Sequence, residues 1–125
     1  FSTLAGSKPS PDAVAAYARA SQTVVGLSGE SDLVSDGERT ASIANGHSLM
    51  GRVTAMGCAG SALGVACLAI EPDAFVATAA ALLILNIAGE LAAEKSAGPG
   101  SFATSIIDAL YNLDGPTLIE RAKVS

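Results

Sequence analysis

The residues with types and spacing suited to chemistry lie in Val53-Thr54-Ala55-Met56-Gly57-Cys58-Ala59. The pattern predicts an extended stretch that enters a tight turn of small residues, with a helix beginning at the turn. The first amides of such a helix, at Met56, Gly57 and Cys58, have no intrahelical acceptor. With the helix dipole they favour an anion. Gly57 lacks a side chain and lets a phosphate approach the backbone. Cys58, in the first turn, has its thiolate favoured by the same partial positive charge. Close packing of a small-residue helix accounts for Gly57, Cys58 and Ala59 equally well, because free cysteine is often buried.

Other polar residues carry weaker signals. His47 is the one histidine and follows Asn45-Gly46, so a hydrogen-bonded turn residue is expected. No second histidine or neighbouring cysteine gives zinc-ligand spacing. No nucleophile elbow supports a Ser-His-Asp triad. Glu30 and Asp32 follow an apolar run and read as solvated loop acids, with magnesium placement as the competing reading. Glu90 and Glu94, one turn apart, read as a solvated helix face.

These residues need elements to position them. Ser10-Pro11-Asp12 starts a helix that continues from Ala13 to Ala20. Thr23-Val24-Val25-Gly26-Leu27 reads as a buried strand, and helix, strand and loop together as half of an α/β unit. Asp36-Gly37 between Leu33-Val34-Ser35 and Glu38-Arg39-Thr40 predicts a two-residue hairpin, its second strand running through Ile43. Asn45-Gly46-His47 turns the chain into Ser48-Leu49-Met50. Helices are expected from Gly57 to Ile70, from Asp73 to Lys95, and from a Ser101 cap to Leu110 or Leu113; Pro116 opens a last short segment. This is little sheet for so much apolar helix, and partner strands are expected from elsewhere.

The 125 residues suffice for one domain, with half of them apolar and alanine a fifth of the total. That balance excludes disorder and implies a core of small side chains. A net charge of −5 without a basic cluster argues against nucleic-acid binding. Cys58 and Cys67 fall on opposite faces of one helix, roughly 13.5 Å apart along its axis, too far for a disulfide. Free thiols fit a reducing, cytoplasmic setting. Mean hydropathy is +0.45, and the uncharged runs 53–70 and 74–89 raise a membrane hairpin. Both runs are short for a span, are diluted by small polar residues, and lack flanking aromatic and basic residues. Phe1 in place of an initiator Met suggests processing or a piece of something longer.

Taken in order, Ser28-Gly29-Glu30, Ser35-Asp36-Gly37-Glu38-Arg39, Asn45-Gly46-His47-Ser48-Leu49-Met50, Val53 to Cys58, and Gly98-Pro99-Gly100-Ser101-Phe102 closely resemble the C-terminal half of hydroxyethylthiazole kinases. Asp108-Ala109-Leu110-Tyr111-Asn112-Leu113 also looks like that family. The set covers nearly the whole chain and is specific together, although each motif alone is weak. The resemblance implies an α/β, ribokinase-like (Rossmann-like) three-layer fold of a sheet with helices. Residues 1–125 would form the C-terminal half of that single kinase domain. It implies transfer of the γ-phosphate of ATP, with Mg2+, to the hydroxyl of the thiazole precursor of thiamine.

Carried over by resemblance, Cys58 is the catalytic base, where ribokinase relatives place an aspartate. Gly57 is the motif glycine at the phosphate, which Met56 joins through its helix-start amide; Ser28 contacts ATP, and Ala55 stands where the family has a substrate-contacting glycine. No metal ligand matches within this chain; the acidic magnesium residues belong to the N-terminal half. The implied partners are that complementary half, a thiazole alcohol and two further copies in a homotrimer, with no nucleic acid and no membrane. Ala55 motivates the competing reading, a catalytically impaired ribokinase-like binding or regulatory subunit, or a kinase for another small alcohol. Without its other half, the chain is expected to expose a strand edge and the apolar faces of the 57–70 and 73–95 helices.

Overall fold

The computed structural model describes residues 9–125. Helix α1 (Pro11–Ser21) begins where the sequence signals it, with Ser10 Oγ accepting the Ala13 amide at 3.1 Å and Pro11 in the first turn. It ends at Gln22, which turns left-handed at φ 53°. Val14 and Ala18 form its buried stripe, packed on the sheet.

Three strands follow, β1 (Val25–Leu27), β2 (Asp32–Ser35) and β3 (Thr40–Ile43), in the order β1-β2-β3. All pair antiparallel: Gly26 faces Val34, and Val34 faces Ala41. The buried strand expected over 23–27 is instead a three-residue edge strand. Gly26 is exposed and Val25 and Leu27 are half-buried, because no described element covers the outer side of β1. Strand β2 is the central strand, and all four of its residues are buried.

The turn at Asp36-Gly37 is also longer than two residues. Ser35 pairs with Thr40, so residues 36–39 form a four-residue loop closed by the Asp36 amide on the Arg39 carbonyl at 3.2 Å. Gly37 adopts φ +95° against the α1 backbone, and a Cβ there would stand 3.0 Å from Arg19 Cα. Arg19 of α1 also donates to the Gly37 carbonyl at 2.6 Å. Beyond β3, Ser42 and Ser125 exchange backbone hydrogen bonds at 2.8 and 2.9 Å, laying the last residues alongside the strand.

Residues 44–47 lead to a 3-10 helix (Ser48–Arg52), a short turn, and helix α2 (Met56–Ile70). Then come α3 (Ala74–Glu94), α4 (Pro99–Asn112) and α5 (Gly115–Arg121). Asp73 caps α3, accepting the Phe75 and Val76 amides, and Asp114 caps α5. Ser101 does not cap α4. It lies one turn inside the helix, and its Oγ reaches back to the Ala97 and Gly98 amides at 3.0 and 3.3 Å.

Helix α3 is the spine. It packs most extensively on α2 and α4 and also meets β2, β3 and the 3-10 helix. Its 21 residues are long and apolar enough to cross a membrane, but Ala77, Ala81, Leu85, Ile87, Ala88 and Ala92 are buried within the fold. Leu85, Ala88 and Ala92 join Phe102 and Ile106 of α4 in the main core cluster. Helix α2 is the opposite case, with no buried residue and with Val65, Leu68 and Ile70 at 68%, 48% and 86% exposure. The apolar surface expected over 57–70 is therefore present.

Candidate functional site

The turn before α2 is anchored by apolar residues on either side. Val53 and Met56 pack against the core cluster, as do Leu49 and Met50 of the 3-10 helix. Only Val53 of the expected extended stretch is extended; the 3-10 helix takes up the residues before it. Between the two anchors, Ala55 is forced into the left-handed region at φ 73°, ψ 10°. An alanine held there costs about 1 kcal/mol, since its Cβ crowds the following carbonyl. Its own carbonyl accepts the Ala59 amide at 2.9 Å, the first bond of the helix. The amides of Met56, Gly57 and Cys58 precede that bond and are left for an external acceptor. Gly57 and Cys58 are exposed, and both cysteines are free. Met56 is half-buried, so it offers a backbone amide with its side chain committed to the core.

A second set of residues, 45–47 with 29–30, borders a cleft of about 440 Å3 that continues onto Met50 and Gly51 of the 3-10 helix. Two polar residues of α3, one turn apart, hold its rims. Asn86 Nδ2 donates to Asp32 Oδ2 at 2.7 Å, and Asp32 Oδ1 accepts the Gly29 amide at 2.9 Å. Glu90 Oε1 accepts from Asn45 Nδ2 and from the Gly46 amide, each at 3.0 Å. Asn45 is itself satisfied on both ends, donating to the Arg121 carbonyl at 2.9 Å and accepting the Lys123 amide at 2.7 Å.

These contacts correct two expectations. Asp32 is not a solvated loop acid but a buried member of β2, 4% exposed, with both oxygens occupied. Glu90 is not on a solvated face; its side chain is 16% exposed, whereas that of Glu94 is 55% exposed and paired with Arg121 at 2.7 Å. His47 is the turn residue expected, its Nδ1 accepting the Leu49 amide at 3.2 Å. Ser28 follows β1 and lines a neighbouring cleft of about 250 Å3, which shares Gly29 and Glu30 with the first. Ala55, Met56, Gly57 and Cys58 thus lie at one helix start, and Ser28 lies on the loop after β1.

Strong ion pairing lies elsewhere. Arg39 donates to Asp36 at 2.7 Å and to both Asp73 oxygens at 2.8 and 3.0 Å, and stacks 4.5 Å over the Phe75 ring. The Arg39 backbone amide, then its guanidinium, hold the Asp36 carboxyl down to about 2. This cluster ties the hairpin loop to the start of α3.

The hydroxyethylthiazole kinase family model matches residues 3–115. The chain belongs to this family. Among hydroxyethylthiazole kinases, the Granulibacter bethesdensis protein is 43% identical over 121 residues, covering 97% of this chain and 44% of that protein. The Zea mays protein is 44% identical over 115 residues, covering 91% of this chain and 41% of the relative. That of Rhizobium leguminosarum bv. trifolii is 50% identical over 105 residues, covering 83% and 39%. The solved structure of the hydroxyethylthiazole kinase protein from Pyrococcus horikoshii OT3 superposes with a TM-score of 0.87 at 40% identity, over 90% of this chain and 44% of that one. The chain therefore spans about two fifths of the length of the hydroxyethylthiazole kinases it matches. The α/β architecture, a small three-stranded sheet with helices, is one this family has.

The sequence marks Asn45 only as part of a turn and a family motif, and leaves Asn86 unmarked. The signal for Asn86 was available, since it is the one amide side chain in the uncharged run 74–89 of a core helix. A polar residue kept there needs a buried partner.

Proposed function

We propose that this chain contributes the C-terminal half of a ribokinase-like kinase that phosphorylates the hydroxyl of hydroxyethylthiazole with ATP, in thiamine biosynthesis or salvage. The observation that carries the reading is the start of α2, where an exposed Cys58 and Gly57 follow the left-handed Ala55 and three amides precede the first intrahelical bond. Cys58 Sγ takes the proton of the substrate hydroxyl as its oxygen attacks the γ-phosphorus. The bond from that phosphorus to the β–γ bridging oxygen breaks, and ADP leaves. The amides of Met56, Gly57 and Cys58 hold the charge on the transferring group. Ser28 donates its hydroxyl to a phosphate oxygen of ATP, and residue 55 borders the thiazole.

Magnesium supplies charge neutralisation between the phosphates when bound. The described residues do not themselves fit a magnesium site, because no three His, Cys, Asp or Glu side chains converge and Asp32 has both oxygens engaged. Its ligands belong to the complementary half. That half would also extend the sheet beyond β1 and cover α2, in a cytoplasmic homotrimer. In the intact protein, thiazole phosphorylation is expected to fall about 100- to 10,000-fold in Cys58→Ala, the range of general-base contributions. Cys58→Asp should recover part of it. An intact wild-type protein that binds neither ATP nor thiazole would sink the proposal.

A second reading rests on Ala55, whose Cβ occupies a left-handed position beside Cys58. In that reading the site binds its ligands but turns over thiazole poorly, or accepts another small alcohol. A large gain in thiazole turnover for Ala55→Gly would favour it, and no change would remove its support.

A further inference from the structure

Asn86 is 7% exposed and sits on α3 at the floor of the cleft between residues 29–30 and 44–51. Its Nδ2 is committed to Asp32 Oδ2 at 2.7 Å. A carboxylate only accepts, so this bond fixes which end of the amide is which. The carbonyl Oδ1 is turned toward Gly46, where a Cβ would stand 3.7 Å from it. Gly46, at φ +129°, leaves that approach clear. Every side-chain nitrogen or oxygen sealed from solvent among the described residues has a partner. Asn86 Oδ1 has none among them, so it opens onto the cleft. A largely buried carbonyl facing a cleft calls for a donor from whatever fills it.

We infer that Asn86 Oδ1 is a specificity-determining acceptor for the nucleoside half of ATP, taking a hydrogen bond from one of its N–H or O–H groups. The inference rests on the reading that the loop after β1 binds ATP, since Gly29 and Glu30 of that loop form the cleft's other rim. Asn86 Oδ1 can only accept, and the phosphates carry only acceptors at neutral pH, so they cannot meet it. The nucleoside carries the donors, an exocyclic amine on the base and two hydroxyls on the ribose. The Asp32 bridge then has two effects, orienting the Asn86 amide and fixing the Gly29 amide with its other oxygen.

Calorimetric binding to the intact protein tests this with ATP, inosine triphosphate, 2′-deoxyATP and 3′-deoxyATP. Wild type should bind one of the three analogues at least about tenfold more weakly than ATP, the effect of leaving a buried acceptor unmet. The analogue affected identifies the donor. Asn86→Leu should bring that ratio close to one. The exchanged pair Asp32→Asn with Asn86→Asp keeps the bond between the two positions and an acceptor in the cleft, and should preserve the ratio even if Asn86→Leu is too unstable to measure. ATP binding with all three analogues within twofold of ATP, or an undiminished ratio in Asn86→Leu, would overturn the inference alone. Failure of wild type to bind ATP would sink the functional reading and this inference with it.

Discussion

The carbonyl of Ala55 accepts the amide of Ala59 at 2.9 Å, so the residue held at φ 73° is also the one that closes the first turn of the Cys58 helix. Relief of left-handed crowding by glycine is worth about 1–2 kcal/mol. The added freedom of the unfolded chain takes back about 0.4–1 kcal/mol. Ala55→Gly is therefore expected to stabilise the fold by up to about 1.5 kcal/mol. Urea denaturation of the two proteins measures it, and a loss of stability would show that the Ala55 side chain makes contacts that outweigh its strain.

The Arg39 cluster predicts an acid-side transition. Asp36 is held at about 2 against an ordinary value of 3.8, and Arg39 also lowers Asp73 through its side-chain hydrogen bonds. A depressed carboxyl stabilises the fold fully above its unfolded value, and that contribution disappears as pH falls through the folded one. The melting temperature should thus drop between about pH 4 and pH 2. Arg39→Met keeps the backbone amides on Asp36 and removes only the guanidinium, so it should shrink this drop without abolishing it; an unchanged drop would show that the Arg39 side chain contributes nothing to it.

Glu90 Oε1 serves two donors, Asn45 Nδ2 and the Gly46 amide. Glu90→Gln can present a carbonyl oxygen to both, whereas Glu90→Ala leaves the Gly46 amide without an acceptor and Asn45 Nδ2 with the Arg121 carbonyl alone. Losing a largely buried partner costs about 1–3 kcal/mol. Glu90→Ala should fall in that range and Glu90→Gln well below it. Amide exchange at Gly46 should quicken in Glu90→Ala only; equal exchange in both variants would deny the tether.

Thiol labelling should separate the two cysteines. Cys58 is exposed and Cys67 half-buried on the same helix. A disulfide-exchange reagent is expected to modify Cys58 first, in a distinct fast phase that Cys58→Ser removes. A single phase of two equivalent thiols would contradict the exposure pattern.

Local features were legible in the sequence where one stretch of chain decides them. Ser10-Pro11 at α1, Asp73 at α3 and the small-residue start of α2 all form where short-range signals put them. Features that depend on distant partners were not legible. Asp32 and Glu90 look solvated until Asn86, 54 residues from Asp32, and Asn45, 45 residues from Glu90, are placed beside them. The 23–27 run is apolar enough for a buried strand, but burial requires neighbours on both sides, and β2 supplies only one. The Asp36-Gly37 pair marks the bend correctly, while the pairing of Ser35 with Thr40 makes the loop four residues long. In the candidate site, the motif residues around Cys58 are consecutive and could be read directly. The cleft behind Asn86 is assembled from three separate segments and could not.

The backbone exchange between Ser42 and Ser125 gives the sheet a direction of growth. It occupies the outer rim of β3 with the protein's own backbone, while the rim of β1 keeps its amides and carbonyls unspent among the described residues. Any strand that joins this sheet by ordinary pairing must therefore arrive next to Gly26, on the side from which the chain runs on to Ser28. Pairing of such a strand would thus take place beside the loop at Ser28, and a lesion at Gly26 would bear on both at once.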